Sequence, residues 1–206
     1  MKDKHINQII INNQLLPNNI TNLLTLKLFS EIDKTQFVDN KEISHCLMDE
    51  NFFFNNKRFM LKSSTLGKLI DLIIDNKYSN VLNVGSGTGY SSSLLSLIST
   101  FVVSLENNKI LHEKEKQIFK TSDSSNIKSV IGNFEDGYDE LKPYDLIFIN
   151  GGLKKTPIKL LDQLDENGIL VCIELNPYNI KKIVKYKIKN GIISRKEFFM
   201  VNVPLL

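Results

Sequence analysis

The sequence predicts an α/β fold in which a doubly wound, mostly parallel sheet carries helices on its faces. From Gly67 onwards, short extended patterns alternate with helical ones, and this alternation is typical of parallel sheets. One predicted strand, Phe101–Leu105, is apolar at every position except Ser104, as strands buried on both faces tend to be. With 206 residues, 42% of them hydrophobic, the chain is long enough for one domain with a sizeable core.

Residues 61–206 are expected to form the sheet domain. The hydroxyl groups of Ser63–Thr65 are expected to cap a first helix, which carries Leu66, Leu69 and Ile70 at helical spacing. The predicted strands are Val81–Val84, Phe101–Leu105, Ile127–Ile131, Tyr144–Asn150 and Ile169–Ile173. Two predicted helices are Tyr90–Ile98 and Asn107–Lys120. A third is capped by Thr156, begins at Pro157 and ends at Asn167-Gly168, and Leu164 lies on its apolar face. The apolar runs Gly191–Ser194 and Phe198–Val203 predict a terminal hairpin.

Residues 1–60 have a different pattern from the rest of the chain. Two helical patterns, at about Ile6–Leu15 and Ile20–Ile32, precede a polar loop rich in phenylalanine. They predict a helical appendage that packs on the sheet domain. The run Phe52–Phe54 is expected to fill apolar space under a loop, with an exposed contact patch as the alternative.

Charge and cysteine usage exclude several classes of function. The net charge of +3 is small, and lysines are interleaved with acidic residues, so no nucleic-acid partner is expected. No apolar stretch approaches the roughly 18 residues of a membrane helix, which favours a soluble, cytoplasmic protein. Cys46 and Cys172 lie far apart without a CxxC pattern, so both are expected to be buried thiols, and no metal site is predicted. The oligomeric state stays open.

The segment Val81–Tyr90 carries the clearest functional signal. An apolar run ends in three alternating glycines, Gly85, Gly87 and Gly89, and a helical pattern follows. Glycine lets a ligand lie against bare backbone, and the helix that follows directs free N–H groups at it. A strand, a glycine turn and a helix together predict a nucleotide-type cofactor site.

The spacing of the glycines argues against a dinucleotide. The dinucleotide fingerprint needs a glycine or alanine as its sixth residue, where this chain has the bulky Tyr90. Glu106 lies 17 residues beyond Gly89 and directly follows the second predicted strand, so its carboxylate can accept hydrogen bonds from both ribose hydroxyls. The alternative is a solvated residue at a helix start.

Three further residues follow predicted strands at the same carboxyl edge. Asn133 and Phe134 come after the third strand, and Asn150 ends the fourth. An amide could accept a hydrogen bond from adenine and Phe134 could stack on it, although Asn133 is equally well explained as a turn residue. The candidate cofactor-binding residues are therefore Asn83, Gly85, Ser86, Gly87, Gly89, Glu106, Asn133, Phe134 and Asn150.

Several segments, in order, resemble the protein-L-isoaspartate O-methyltransferases. They are Asn13–Asn18, Ile20-Thr21, Phe37-Val38, Val81–Tyr90, Glu106, Pro143–Ile147, Leu160–Leu164 with Gly168, and Val203–Leu205. The glycine motif is shared by all class I S-adenosylmethionine-dependent methyltransferases, which have a Rossmann-like fold. The resemblance implies S-adenosyl-L-methionine as cofactor, methyl transfer to the free carboxylate of isoaspartyl residues in damaged proteins, and repair through a succinimide.

The chain departs from the family pattern at three positions. Leu61 stands at the position of the family's active-site serine, with Ser63 and Ser64 two or three residues away. Asn83 stands where an acidic residue is usual, and Gly132-Asn133 replaces a Gly-Asp pair. No catalytic residue is named for this reason. Two alternatives stay open: a catalytically degenerate relative that binds the cofactor or serves as a scaffold, and a methyltransferase for another carboxylate or a small molecule, with Arg58 or Lys62 as an anion clamp.

Overall fold

The computed structural model describes residues 4–55, 57–122 and 124–206. Residues 1–3 and Asn56 of the predicted appendage therefore lie outside the described part. The α-helices are α1 (Lys4–Ile10), α2 (Leu23–Glu31), α3 (Ile43–Cys46), α4 (Ser63–Asp71), α5 (Tyr90–Ser96), α6 (Lys109–Thr121) and α7 (Ile158–Leu161). The strands are β1 (Phe52–Phe53), β2 (Phe59–Met60), β3 (Tyr78–Val84), β4 (Ser99–Glu106), β5 (Ile127–Ile131), β6 (Tyr144–Leu153), β7 (Leu164–Leu175), β8 (Lys181–Lys189) and β9 (Ile192–Met200).

Seven of these strands form one mostly parallel sheet, which confirms the predicted fold class. The strand order is β5-β4-β3-β6-β7-β8-β9. The first five strands run parallel, and β8 and β9 add two antiparallel pairings at one edge. All five strands predicted from Val81 to Ile173 are present within β3 to β7.

Alternate residues of the central strands face two separate apolar layers. Val81 belongs to one buried cluster and Leu82 to the other, and Val102 and Val103 divide in the same way. This alternation follows from the two-residue period of a strand. The first layer packs against the amino-terminal helices, α4 and α5, and the second against α7 and residues 134–141. Burial on both faces explains the continuous apolar runs.

The amino-terminal helices pack on the first of these layers. Helix α1 continues through a π-helical segment, Ile11–Leu15, and α2 brings the fully buried Phe29 against the ring of Tyr90, with the ring centroids 6.4 Å apart. Ile10 and Leu15 lie in the same buried cluster. The segment therefore shares its core with the sheet.

The predicted helix after Thr156 is wrong in its extent. It covers only Ile158–Leu161, because the Gln163 carbonyl already accepts a hydrogen bond from the Tyr144 amide (2.9 Å) and commits the chain to the sheet. Leu164 consequently pairs with Tyr144 in β7. Asn167-Gly168 does not end a helix but forms an irregularity inside β7, with Asn167 at φ 66°.

The terminal hairpin exists, but its strands are not the predicted ones. Both predicted runs overlap the single strand β9, and the turn falls at Asn190-Gly191. The partner strand is β8, which was not predicted although residues 184–189 alternate between apolar residues and lysines.

Two smaller predictions also need correction. The hydroxyls of Ser63–Thr65 do not cap α4, since Lys62 is the N-cap residue and no side-chain cap bond forms there. Of the phenylalanine run, Phe52 is buried and Phe53 is half exposed, because the two residues point to opposite sides of the short strand β1. The run is therefore neither wholly buried nor wholly exposed.

The prediction for the cysteines is confirmed: Cys46 and Cys172 are both free and buried. Within the described part of the chain, no helix combines the length and the apolar character that crossing a membrane requires.

Replacing Phe29 with alanine tests whether the amino-terminal helices share the core of the sheet. We expect one cooperative unfolding transition whose free energy is lower by about 3–5 kcal/mol, as is usual for a large cavity in a core. The control is Leu23→Ala on the same helix, at a side chain that is 80% exposed, which should change stability by no more than about 0.5 kcal/mol. Urea denaturation followed by circular dichroism measures both, and an unchanged main transition in the Phe29 variant would contradict the shared core.

Candidate cofactor site

The strand order reverses at β3, which lies between β4 and β6. Crossovers leave such a point in opposite directions, so a crevice forms at the carboxyl ends of the strands. The glycine turn follows β3, Glu106 ends β4, Asn133 and Phe134 follow β5, and Asn150 lies in β6. The topology thus brings the predicted residues to one edge of the sheet.

The glycine turn requires its glycines. Gly85, Gly87 and Gly89 have φ angles of 76°, 64° and 98°, a region that side chains with a Cβ rarely adopt. The Leu105 carbonyl accepts hydrogen bonds from the amides of Gly85 (2.9 Å) and Ser86 (3.2 Å), which fixes the turn to β4. A Cβ on Gly89 would lie 2.4 Å from Phe119 Cζ, so helix α6 also packs directly on the turn.

Glu106 lies fully buried beside the glycine turn. Its Oε2 accepts from the Gly87 amide (2.7 Å), and its Oε1 accepts from the amides of Asn107 (3.1 Å) and Asn108 (3.0 Å). The solvated alternative for this residue is therefore wrong. The carboxylate and the turn form one unit, as the cofactor hypothesis requires.

Asn83 and Asn150 are joined to each other under the turn. Asn150 Nδ2 donates to Asn83 Oδ1 (2.6 Å) and to the Val84 carbonyl (3.1 Å), while Asn83 Nδ2 donates to the hydroxyls of Ser91 and Ser92. Asn83 is completely buried. In this structure its amide supports the turn and the start of α5, and its hydrogen bonds all run to other protein groups.

Asn133 and Phe134 lie at the mouth of a cavity of about 630 Å³. Asn133 Oδ1 accepts from the Glu135 amide (3.2 Å), which is the turn geometry considered as its alternative role. Asn107 and Leu206 also line this cavity, together with residues 153–160. The Ser86 hydroxyl is buried near the turn without a hydrogen-bond partner in the described structure.

The residue at position 61, where the resemblance places a serine, carries no hydroxyl. Leu61 is buried in the core. Ser63 Oγ accepts from Lys34 Nζ (3.2 Å), and both side chains are fully buried. Burial lowers the pKa of Lys34. The Ser64 amide donates to Asp49 Oδ1 (3.0 Å), so both serines belong to the structure around α4.

Arg58, considered in the sequence as an anion clamp for a substrate, pairs in this structure with a carboxylate of the protein itself. Its side chain is only 4% exposed and donates to both oxygens of Glu106, from Nε (2.8 Å) and from Nη2 (2.7 Å). Lys62, the other candidate anion clamp, forms an ion pair in which its Nζ lies 3.6 Å from Asp49 Oδ2. Arg58 and Glu106 are 48 residues apart, and no local pattern in the sequence connects them.

The chemistry of the site fits the predicted cofactor, whereas its space is partly taken. The glycine turn offers bare backbone and Glu106 offers a buried carboxylate for a ribose diol. Phe54, Arg58 and Leu206 contact this region: a Cβ on Gly87 would lie 2.9 Å from Phe54 Cε2, and one on Gly85 would lie 3.2 Å from Leu206 Cδ2. These side chains would have to move for a ribose to reach Glu106.

Comparisons with known proteins agree on one family. The sequence model of Protein-L-isoaspartate(D-aspartate) O-methyltransferase matches residues 5–205. A protein-L-isoaspartate O-methyltransferase of Hahella chejuensis is 28% identical over 195 residues, which cover 94% of this chain and 92% of the relative. One of Thermosipho melanesiensis is 34% identical over 130 residues, covering 61% of this chain and 65% of the relative.

The solved structures agree in fold. A Plasmodium falciparum protein described as a beta-aspartate methyltransferase, in complex with S-adenosyl-L-homocysteine, superposes with a TM-score of 0.83 at 19% identity, covering 100% of this chain and 98% of that one. A structure named protein-L-isoaspartate O-methyltransferase gives a TM-score of 0.81 at 21% identity, covering all of this chain and 66% of that one.

Glu115, on helix α6 behind the glycine turn, makes stability depend on pH. Burial raises its pKa to about 7, although hydrogen bonds from Ser104 and Ser129 oppose the rise. In the unfolded chain its pKa is about 4.5. The folded state therefore binds the extra proton between these values, and stability falls as the pH rises through 7.

We expect Glu115→Gln to remove this part of the pH dependence. Between pH 4 and pH 8, the free energy of unfolding of the unmodified protein should fall by about 3 kcal/mol relative to that of the variant. This figure follows from the pKa difference between the folded and unfolded states, at 1.36 kcal/mol for each pKa unit. Urea denaturation of both proteins across this range measures the difference. A difference that does not change with pH would contradict the assignment.

Proposed function

Because the chain belongs to the protein-L-isoaspartate(D-aspartate) O-methyltransferase family, we propose that it transfers a methyl group from S-adenosyl-L-methionine to the free α-carboxylate of isoaspartyl residues in damaged proteins. One observation carries the proposal: the buried Glu106 carboxylate accepts a hydrogen bond from the Gly87 amide, 2.7 Å away. Glu106, which suits a ribose, thus contacts the glycine turn, which allows close approach of a ligand.

The proposed contacts divide the site into two parts. The backbone of the glycine turn would face the amino-acid part of the cofactor, and Glu106 would accept from the ribose. The adenine would enter the cavity of about 630 Å³ beside Asn133 and Phe134, and Phe134 offers a ring face for stacking. Asn83, Ser86 and Asn150 would support the floor of the site.

The reaction requires little acid–base catalysis from the protein. S-adenosyl-L-methionine supplies a methyl group on a sulfonium sulfur, whose S–C bond breaks as a carboxylate oxygen forms the O–C bond. A carboxylate is already ionised at neutral pH, so no general base is required, and the loss of a hydroxyl at Leu61 does not by itself stop the transfer. The chain contributes by aligning the reactants and excluding water.

Two finer parts of the proposal concern the setting of the reaction. We propose protein repair as the outcome, since a methyl ester at an isoaspartyl residue can cyclise to a succinimide. We also propose a cytoplasmic location, because two buried free thiols, Cys46 and Cys172, suit a reducing compartment.

Transfer of labelled methyl groups to an isoaspartyl peptide tests the proposed activity. We expect label in the isoaspartyl peptide and none in its normal aspartyl counterpart, because only the former presents a free α-carboxylate in the required position. Equal labelling of both peptides would favour a methyltransferase for another carboxylate. Binding of S-adenosyl-L-homocysteine without any transfer would contradict the proposed activity.

A catalytically degenerate scaffold is the second candidate function. One observation favours it: Arg58 already pairs with the carboxylate that a ribose would use. A scaffold of this kind would bind neither S-adenosyl-L-homocysteine nor S-adenosyl-L-methionine, even when Arg58 is removed.

Asn83→Asp tests the electrostatics of the site. A carboxylate at this position could still accept from Asn150 and from the hydroxyls of Ser91 and Ser92, and it adds a negative charge below the turn. We expect the affinity for S-adenosyl-L-methionine to rise about fivefold, because the new carboxylate attracts the sulfonium with roughly 1 kcal/mol after screening. S-adenosyl-L-homocysteine, which lacks the sulfonium charge, is the internal control in calorimetry, and an equal change for both ligands would contradict the electrostatic account.

A further inference from the structure

Three side chains from two segments meet in the cleft above the glycine turn. Phe54 and Arg58 come from the turn that joins β1 to β2, and Leu206 comes from the segment beyond β9. We call these three residues the closing cluster. A Cβ on Gly151 would lie 2.5 Å from Leu206 Cγ, so Leu206 also contacts bare backbone at the end of β6. The closing cluster therefore covers the glycine surfaces that suit a ligand.

The carboxylate of Glu106 has no free position for a ribose. Five donors surround it: Oε1 accepts from Arg58 Nε (2.8 Å), Asn107 N (3.1 Å) and Asn108 N (3.0 Å), and Oε2 accepts from Arg58 Nη2 (2.7 Å) and Gly87 N (2.7 Å). A carboxylate offers about four lone-pair sites. Ribose hydroxyls can bind here only after the guanidinium leaves.

Arg58 also covers the aromatic face nearest to Glu106. Its Cζ lies 4.8 Å from the centroid of the Phe134 ring, within the range of a cation–π contact. One planar group therefore contacts both the carboxylate and the ring that the proposed function assigns to the ribose and the adenine. The cavity beyond Phe134 stays open, so the closing cluster blocks part of the cleft and leaves the rest.

The closed arrangement is held less firmly than its bidentate ion pair suggests. Arg58 Nη1 is buried without a hydrogen-bond partner in the described structure, and an unsatisfied buried donor opposes the arrangement. The β1–β2 turn itself is held by short-range bonds, from the Phe54 amide to the Arg58 carbonyl (2.9 Å) and from the Arg58 amide to Asn55 Oδ1 (2.8 Å). The guanidinium is thus a side chain on a small turn and can leave without unfolding the sheet.

We propose that the closing cluster is a built-in competitor of the cofactor, in which Arg58 takes the place of the ribose at Glu106. This inference rests on the proposed function, because it assumes that an S-adenosyl compound is the ligand. Cofactor binding then requires the Arg58–Glu106 pair to exchange for ribose hydrogen bonds and Leu206 to move off the turn. The positive charge of Arg58 also disfavours the sulfonium cofactor more than S-adenosyl-L-homocysteine, whose sulfur is an uncharged thioether.

Arg58→Met tests the competition, because methionine keeps apolar volume against Phe134 and removes the guanidinium. The matched control is Lys57→Met, which removes the same charge from the neighbouring exposed residue. Calorimetry with S-adenosyl-L-homocysteine should show a dissociation constant at least tenfold lower for Arg58→Met than for the unmodified protein, and no change for Lys57→Met. Adding Glu106→Gln to Arg58→Met should abolish the gain, since the freed carboxylate is what the ribose uses.

Three outcomes would overturn the inference. The first is a folded Arg58→Met protein that binds S-adenosyl-L-homocysteine no more tightly than the unmodified chain. The second is an equal gain in Lys57→Met, which would assign the effect to net charge. The third is absence of binding in every variant, which would favour the scaffold instead.

A second variant and a second measurement cover the case in which Arg58→Met does not fold. Leu206→Gly leaves the ion pair intact and uncovers Gly85 and Gly151, and it should also lower the dissociation constant. In the unmodified protein, S-adenosyl-L-homocysteine should speed amide hydrogen exchange at Phe54 and Arg58 and slow it at residues 85–89. Slower exchange at Phe54 and Arg58 would mean that the turn closes over the ligand, which contradicts competition.

The methyl-transfer assay separates this inference from the proposed function. Tighter binding in Arg58→Met without transfer to the isoaspartyl peptide would retain the competition and reject the activity. Transfer by the unmodified protein, together with unchanged binding in Arg58→Met, would retain the activity and reject the competition.

Discussion

The structure around the cleft depends on one constraint, which is that the carboxylate of Glu106 is buried completely. A buried charge is tolerated only when it is paired and hydrogen-bonded. Its donors come from three segments: the glycine turn, the start of α6, and the turn between β1 and β2, which supplies Arg58. These segments are therefore held together through a single side chain, and a ligand that binds Glu106 must take over part of that role.

Two residues, Asn83 and Arg58, determine the electrostatics of the cleft. Asn83, where the family usually has an acid, is neutral and spends its amide on Asn150, Ser91 and Ser92. Arg58 neutralises the carboxylate of Glu106. As folded, the charge of Glu106 beside the glycine turn is compensated. The cleft is therefore better suited to an uncharged sulfur than to a sulfonium until Arg58 leaves.

The sequence predicted those features that arise from local pattern. Strand β5 was predicted with its observed bounds, and the glycine turn and Glu106 lie at the predicted edge, because the two-residue period and the φ requirement of glycine are local. Strand β8 was missed although residues 184–189 alternate between apolar residues and lysines, and α7 was overextended because tertiary pairing of Leu164 with Tyr144 overrides helical spacing. Arg58 could not be predicted as a partner of Glu106, since nothing in either local sequence requires a contact across 48 positions.

The anchoring of the β1–β2 hairpin decides how much of the molecule must move when the cleft opens. At its base, Phe52 and Phe59 are buried in the core, and Phe52 pairs with Met60 in the ladder. At its tip, Phe54 is only half-buried and Arg58 reaches the cleft. Because the apolar burial that resists displacement lies at the base, the tip can release Glu106 while the base keeps its packing. The opening that a cofactor requires is thus a local rearrangement at the tip of this turn and at Leu206, which pack at the edges of the apolar layers, and the strand order is unaffected by it.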